Sequence, residues 1–298
     1  MWSELFCCYC FCGWLNTGML VHFSKYHALR NDFLIVELAQ HRITSKQRAK
    51  LAVAICDRRS GVGADGMLYL SGSRRADFKI DLYNSDGSWA EKSGNGLRIA
   101  AVHRHLLNKR RKSFDMEMNG VVSLSTVIEK NSTGYSVSAG LGKPDFDVSR
   151  IPIKTRQRYM IQSILRLGGQ DFPVTCLAVG NPHTVLFVDD FNFDWQTLGA
   201  EIEHHRAFPE RTNVEFVKII NRRKLKVAEW ERGAGATGSS GTGAAAAVCA
   251  AVMIGHAERR CHVVFDTGSL DVFWDPETNE IILTGQVQHV CDGVYSFL

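Results

Sequence analysis

Apolar residues fall along this chain mostly in short runs rich in Val, Ile, Leu and Phe, broken by Gly, Asn and Asp. VVSLSTVIEK, GYSVSAGL, CHVVFDT, LDVFW and EIILTGQV have the length and composition of strands joined by tight turns, so the pattern predicts sheet that is largely antiparallel. Two segments break the pattern and predict helices. Ala244–Ile254 is nearly all small and apolar, which suits a helix buried on every side. Gly96–Leu107 is apolar along one face, and the spacing puts Arg98, His103 and Arg104 on the other. Each helix follows a Gly-rich turn, SGNG at 93–96 and SSGTG at 239–243.

The pattern also repeats. HALRNDFLIVEL and the later FKIDLYNSDGSWAEKSGNGLRIAAVHRHLL are echoed by AVGNPHTVLFVDD and LKVAEWERGAGATGSSGTGAAAAVCAAVMI. Asn31 precedes Ser93 by 62 residues, and Asn181 precedes Ser240 by 59. Two α+β domains of similar fold follow, 21–137 with about 286–298 and then 138–285, after an unassigned extension at 1–20. The final strand, QHVCDGVYSFL, could return to either half, and is assigned to the first.

Composition narrows the function classes. Thirty-five Lys and Arg against 31 Asp and Glu lack the basic excess of a nucleic-acid binder, and no apolar run is long enough for a membrane span. The first 20 residues crowd Cys7, Cys8, Cys10 and Cys12 without the spacing of a zinc site or the basic start of a signal peptide. They read as an upstream extension, with Met19 as the functional start. The remaining cysteines are scattered singly, which implies no disulfide framework and a cytoplasmic setting.

Glycine turns at helix starts expose N–H groups at the positive helix end and suit a carboxylate or phosphate. Two of them in matching places predict one site between the domains. Neither matches a nucleotide-binding fingerprint. Asn31, Asn84, Asn181, His183, Asn213, Glu231 and Arg232 sit near these turns or at other strand ends.

With FSKYHALRNDF, DRRSGVGADG, YNSDGSWAEKSGNGLR, VGNPHTV, FPERTNVEF and EWERGAGATGSSGTGAAAA in order, the chain resembles the diaminopimelate epimerase family from residue 21 to its end. The resemblance implies two pseudo-symmetric domains, each a sheet curled around a central helix, with a cofactor-independent active site in the cleft between them. It implies that Asn84, Asn213 and Arg232 hold a distal carboxylate, with Glu231 near the ammonium. Asn31, Asn95 and Asn181, with Gly94, Gly241 and Thr242, would hold the reacting end. The partner expected is a small amino acid or dicarboxylic acid, with homodimerisation an open option.

The family's two acid/base cysteines are Ser93 and Ser240 here, and Ala236 replaces a glutamate. A hydroxyl is a far weaker acid than a thiol and needs an adjacent base. Four readings follow: an isomerase moving protons with Glu231 or His183; a silent homologue that binds an amino acid or peptide end; serines introduced to trap substrate; and slow two-serine epimerisation. What the two hydroxyls touch discriminates among them.

Overall fold

The computed structural model describes residues 18–41 and 43–297, so the crowded cysteines lie outside the described residues. The first strand begins at Met19, which takes the last two residues of the expected extension into the fold.

Sixteen strands form one connected mixed sheet. Strands 19–28, 31–37, 66–71, 78–84, 113–118, 121–131 and 134–142 follow one another to the long strand 281–297, which pairs back onto 19–28 and closes a ring. From the other edge of 281–297 the sheet continues through 268–274, 260–265, 224–230, 213–221, 182–187, 170–178 and 163–167 without closing. One strand thus serves both halves: Ile281–Thr284 pairs with 271–274 of the open part, while Ile281–Val287 pairs with 135–142 and Gln288–Phe297 with 19–27 of the ring.

The sheet is largely antiparallel, as expected, and mixed through four parallel strand pairs: 33–37 with 66–70, 78–80 with 116–118, 183–187 with 213–217 and 224–226 with 262–264. Parallel neighbours need a crossover, and each crossover here carries a helix. These are α1 (Ser45–Cys56), α2 (Gly94–Leu107), α3 (Trp195–Glu203) and α4 (Gly241–Met253). The described residues therefore hold four α-helices where the apolar pattern predicts two. Helix α1 has a low overall apolarity with only Leu51, Ala52, Ile55 and Cys56 buried, too faint a stripe to stand out. Its capping box, Thr44 with Gln47, was the legible signal.

Each half repeats the order hairpin, helix, parallel strand, antiparallel strand, helix, parallel strand, two antiparallel strands. Helices α1 and α3 cover one sheet face, α1 on Leu34, Val36, Met67 and Tyr69, α3 beside Leu186, Val214 and Phe216. Helices α2 and α4 lie on the other face within a core shared by both halves. Strands such as 31–37 and 66–71 are covered on both sides, so FLIV and MLYL read as solid apolar runs.

Helix α4 is buried from Gly241 through Ala251, as its composition predicts. Helix α2 corrects the expectation of an amphipathic helix. Residues 94 to 103 are all buried, Arg98 entirely, and only Arg104 of the three polar residues keeps part of its surface in solvent.

Candidate active site

The two Gly-rich turns become the N-termini of α2 and α4, and the fold brings them together. A Cβ built on Gly94 would lie 3.5 Å from the Cα of Gly241, and one on Gly241 would lie 3.4 Å from the Cα of Gly94. The two helix starts therefore meet at van der Waals distance. A cavity of about 800 Å³ opens in front of them, lined from the first half by Asn31, Asn84, Ser93, Gly94 and Asn95 and from the second by Asn181, Asn213, Glu231, Arg232, Ser240, Gly241 and Thr242. Every residue singled out in the sequence lines it except His183.

Both serines are helix caps. Ser93 Oγ accepts from Gly96 N at 3.0 Å, and Ser240 Oγ accepts from Gly243 N at 3.2 Å while lying 3.2 Å from Thr242 Oγ1. Neither hydroxyl meets Glu231 or His183. With the caps engaged at the third helical residue, the N–H groups of Gly94, Asn95, Gly241 and Thr242 have no partner within their own helices and face the cavity mouth of each helix. Two positive helix ends side by side favour an anion there.

No thiol replaces the missing pair. Among the described residues the cysteines are unpaired and none lines the cavity. Burial pushes the Cys56 and Cys176 thiols up to about 12, far from a usable thiolate.

His183 stands behind the cavity wall, 1% exposed. Its Nδ1 lies 2.6 Å from Glu215 Oε1 and its Nε2 2.9 Å from Asn181 Oδ1. Both ring nitrogens are engaged, so the expectation of His183 as a proton carrier in the cleft is replaced by one in which it fixes the Asn181 amide. Asn213 is fixed likewise, donating to Pro182 O at 2.7 Å and accepting from Arg232 N at 2.9 Å. That second bond sets where Arg232 leaves the backbone.

Glu231 is the acid in the wall whose proton affinity the fold raises. Burial pushes its carboxyl up, and the Thr237 hydroxyl that donates to it and nearby His183 pull partly back. Behind it, burial pushes up Glu229 well above its ordinary value, with Glu231 and Glu215 adding repulsion. The other wall acids differ. Asp65 is tied to Arg58 at 2.8 Å and receives Asn31 Nδ2 at 2.9 Å. Asp86 is exposed, and hydrogen bonds from Ser88 hold its carboxyl low.

Sequence reasoning missed Asp65, Thr237 and Lys92 in this wall. Asp65 and Thr237 stand inside quoted motifs, so position was the available signal. Lys92 adjoins Ser93; its Nζ donates to Leu141 O and its stem abuts Gly180, spanning the two halves, with burial lowering its ammonium to about 8.

The family model described as diaminopimelate epimerase matches residues 23–146 and 175–290. Curated relatives agree across nearly the whole chain. The chain belongs to the diaminopimelate epimerase family. The diaminopimelate epimerase of Gloeothece citriformis is 36% identical over 284 residues, covering 93% of this chain and 99% of its own. The chloroplastic diaminopimelate epimerase of Oryza sativa subsp. japonica is 38% identical, covering 92% and 79%. Among solved structures, a hydroxyproline epimerase from Agrobacterium vitis aligns with a TM-score of 0.67 at 11% identity over 93% of this chain and 91% of that one. A phenazine biosynthesis protein from Bacillus anthracis aligns at 0.63 and 14% identity over 93% and 99%. At those identities the likeness is one of fold. Epimerase-family membership supports cofactor-independent isomerase chemistry on a small molecule. Among the described residues no three His, Cys, Asp or Glu side chains gather as metal ligands, and no helix is long and apolar enough to cross a membrane.

Proposed function

We propose that this chain is a divergent, cofactor-independent isomerase of an amino acid or related small acid, in which Glu231 rather than a thiol pair moves the proton. The observation that carries this reading is the division of labour in the wall. Both serine hydroxyls cap helices and neither meets a base, whereas Glu231 lines the cavity with its proton affinity raised by burial. A carboxyl moved toward neutral pH is a competent acid/base.

The rest of the wall supports the substrate class. Arg232 with the Asn84 and Asn213 amides forms a clamp for a distal carboxylate, and the paired helix ends suit the carboxylate next to the reacting carbon. Charge that builds on that carboxylate as the proton leaves is stabilised by the N–H groups of Gly94, Asn95, Gly241 and Thr242. Inversion at a carbon needs proton groups on both faces. A single carboxyl on one face suits proton exchange with retention or a shift along one face of the substrate. We read the two halves, 21–137 with 286–298 and 138–285, as domains that each curl around α2 or α4 and enclose this site.

A second reading has its own observation. Hydroxyls that meet only amides and Thr242, with no adjacent base, fit a homologue that binds an amino acid or peptide end without turnover. Incubation with stereopure diaminopimelate and an amino-acid panel in D₂O, followed by NMR of the α-proton, separates the two. Exchange by the native chain that falls by about 10²–10⁴ in Glu231→Gln supports the isomerase. Binding without exchange, with activity gained only when Ser93→Cys and Ser240→Cys are combined, overturns it in favour of the silent homologue.

A further inference from the structure

Arg98 is a guanidinium with no surface in solvent and no acidic partner. It is 0% exposed, and burial alone works against its charge, with no neighbouring carboxylate supporting it. Its hydrogen bonds go to neutral oxygens, Nη2 to Asn95 Oδ1 at 2.5 Å and Nη1 to Gly94 O at 3.4 Å, and Nε has no partner. Nη1 also lies 3.7 Å from where a Cβ on Gly241 would stand. A buried charge without a counter-ion is costly, and this one sits directly behind the two opposed helix starts.

Its second consequence is geometric. A guanidinium only donates, so Arg98 requires the carbonyl end of the Asn95 amide to face inward. Asn95 Nδ2 is thereby turned to the cavity side, where it donates to Asn31 Oδ1 at 3.0 Å, and Asn31 Nδ2 donates on to Asp65 Oδ2 at 2.9 Å. The chain Arg98–Asn95–Asn31–Asp65 runs in one sense from cation to carboxylate. It fixes both amides and leaves a second Asn95 N–H hydrogen for a ligand.

We infer that Arg98 is a positioning residue for a ligand carboxylate: it orients Asn95 as a donor toward the cavity and supplies the buried positive charge that the carboxylate at the helix ends neutralises. This rests on the reading of the cavity as a carboxylate site. It does not depend on turnover, since a silent binding homologue would need the same counter-charge.

The test titrates the native chain, Arg98→Met, Arg98→Lys and Asn95→Asp with sodium acetate and, separately, meso-diaminopimelate, following melting temperature and binding heat. The native chain shows a saturable rise with acetate. Arg98→Met binds about 10- to 100-fold more weakly without a lower melting temperature in ligand-free buffer, and Arg98→Lys recovers part of the response. Asn95→Asp, nearly the same shape, gives Arg98 an internal carboxylate but sets an acceptor against Asn31 Oδ1; it loses the acetate response whatever its ligand-free melting temperature. A purely structural Arg98 would lower the ligand-free melting temperature on removal and leave anion affinity unchanged. That result, an Asn95→Asp protein that keeps the native acetate response, or a native chain unresponsive to both anions overturns the inference. Loss of the acetate response in Arg98→Met, with diaminopimelate unbound by the native chain, upholds Arg98 and removes diaminopimelate as the ligand.

Discussion

Replacing sulfur by oxygen at Ser93 and Ser240 changes what the helix ends can do. A thiol there would be drawn toward thiolate by the helix dipole; the hydroxyl instead settles as a cap on Gly96 or Gly243. The caps have a measurable worth. Ser93→Ala and Ser240→Ala are each expected to lose about 1 kcal/mol in urea unfolding. The proposed carboxylate clamp is tested differently. Arg232→Met should weaken binding of a dicarboxylic ligand by about 10- to 100-fold, with little change for a monocarboxylic one, readable by calorimetry. Residue types and motif positions were legible in the sequence for nearly the whole cavity wall. What was not legible was orientation. His183 and Asn181 are two positions apart, yet one lines the cavity and the other is buried behind it, because strand side chains alternate only where the strand has begun and Asn181 precedes it.

At the scale of elements, Gly241 sits where α2 and α4 meet, close under the Leu283 side chain. A methyl group on Gly241 would come within 2.7 Å of Leu283 Cδ2 and 3.4 Å of the Gly94 backbone. Gly241→Ala is therefore expected to cost about 1–3 kcal/mol through overpacking and to widen the gap between the helix starts, so that unfolding and ligand binding suffer together. The first hairpin shows the opposite situation. Leu29 and Arg30 both adopt positive φ, 53° and 69°, in a two-residue turn that favours Asn-Gly. Arg30→Gly should stabilise the chain by about 1 kcal/mol. The repeat, the strands and the buried α4 could be read from apolar runs and Gly turns. The crossovers α1 and α3 could not, because helices that cover an already apolar sheet need only a narrow stripe of their own. Arg98 was misread for a related reason: a cation at helical spacing opposite an apolar face looks solvated, and only the sheet closing over α2 shows that it is not.

Across the whole molecule, charge is distributed so that stability and chemistry pull on pH in different senses. Glu215, Glu229 and Glu231 are all raised, chiefly by burial. A carboxyl that binds its proton more tightly in the folded state than in the unfolded one contributes its full stability below the unfolded value near 4.5. That stability is lost as pH rises toward the folded value, by up to about 1.4 kcal/mol per pH unit for each proton. Asp32 and Asp77, lowered by arginine, act in the reverse sense and lose their contribution as pH falls below 3.8. Denaturant melts should therefore show stability falling as pH rises above the unfolded value near 4.5, and Glu229→Gln should flatten that slope while leaving the cavity wall in place. One comparison decides which group moves the proton. The α-proton exchange rate in D₂O is measured for the native chain, for Ser93→Ala combined with Ser240→Ala, and for Glu231→Gln. Exchange within about tenfold of native in the double alanine chain, with a loss of about 10²–10⁴ in Glu231→Gln, is the expected result. Exchange abolished by the alanines and retained by Glu231→Gln would contradict it.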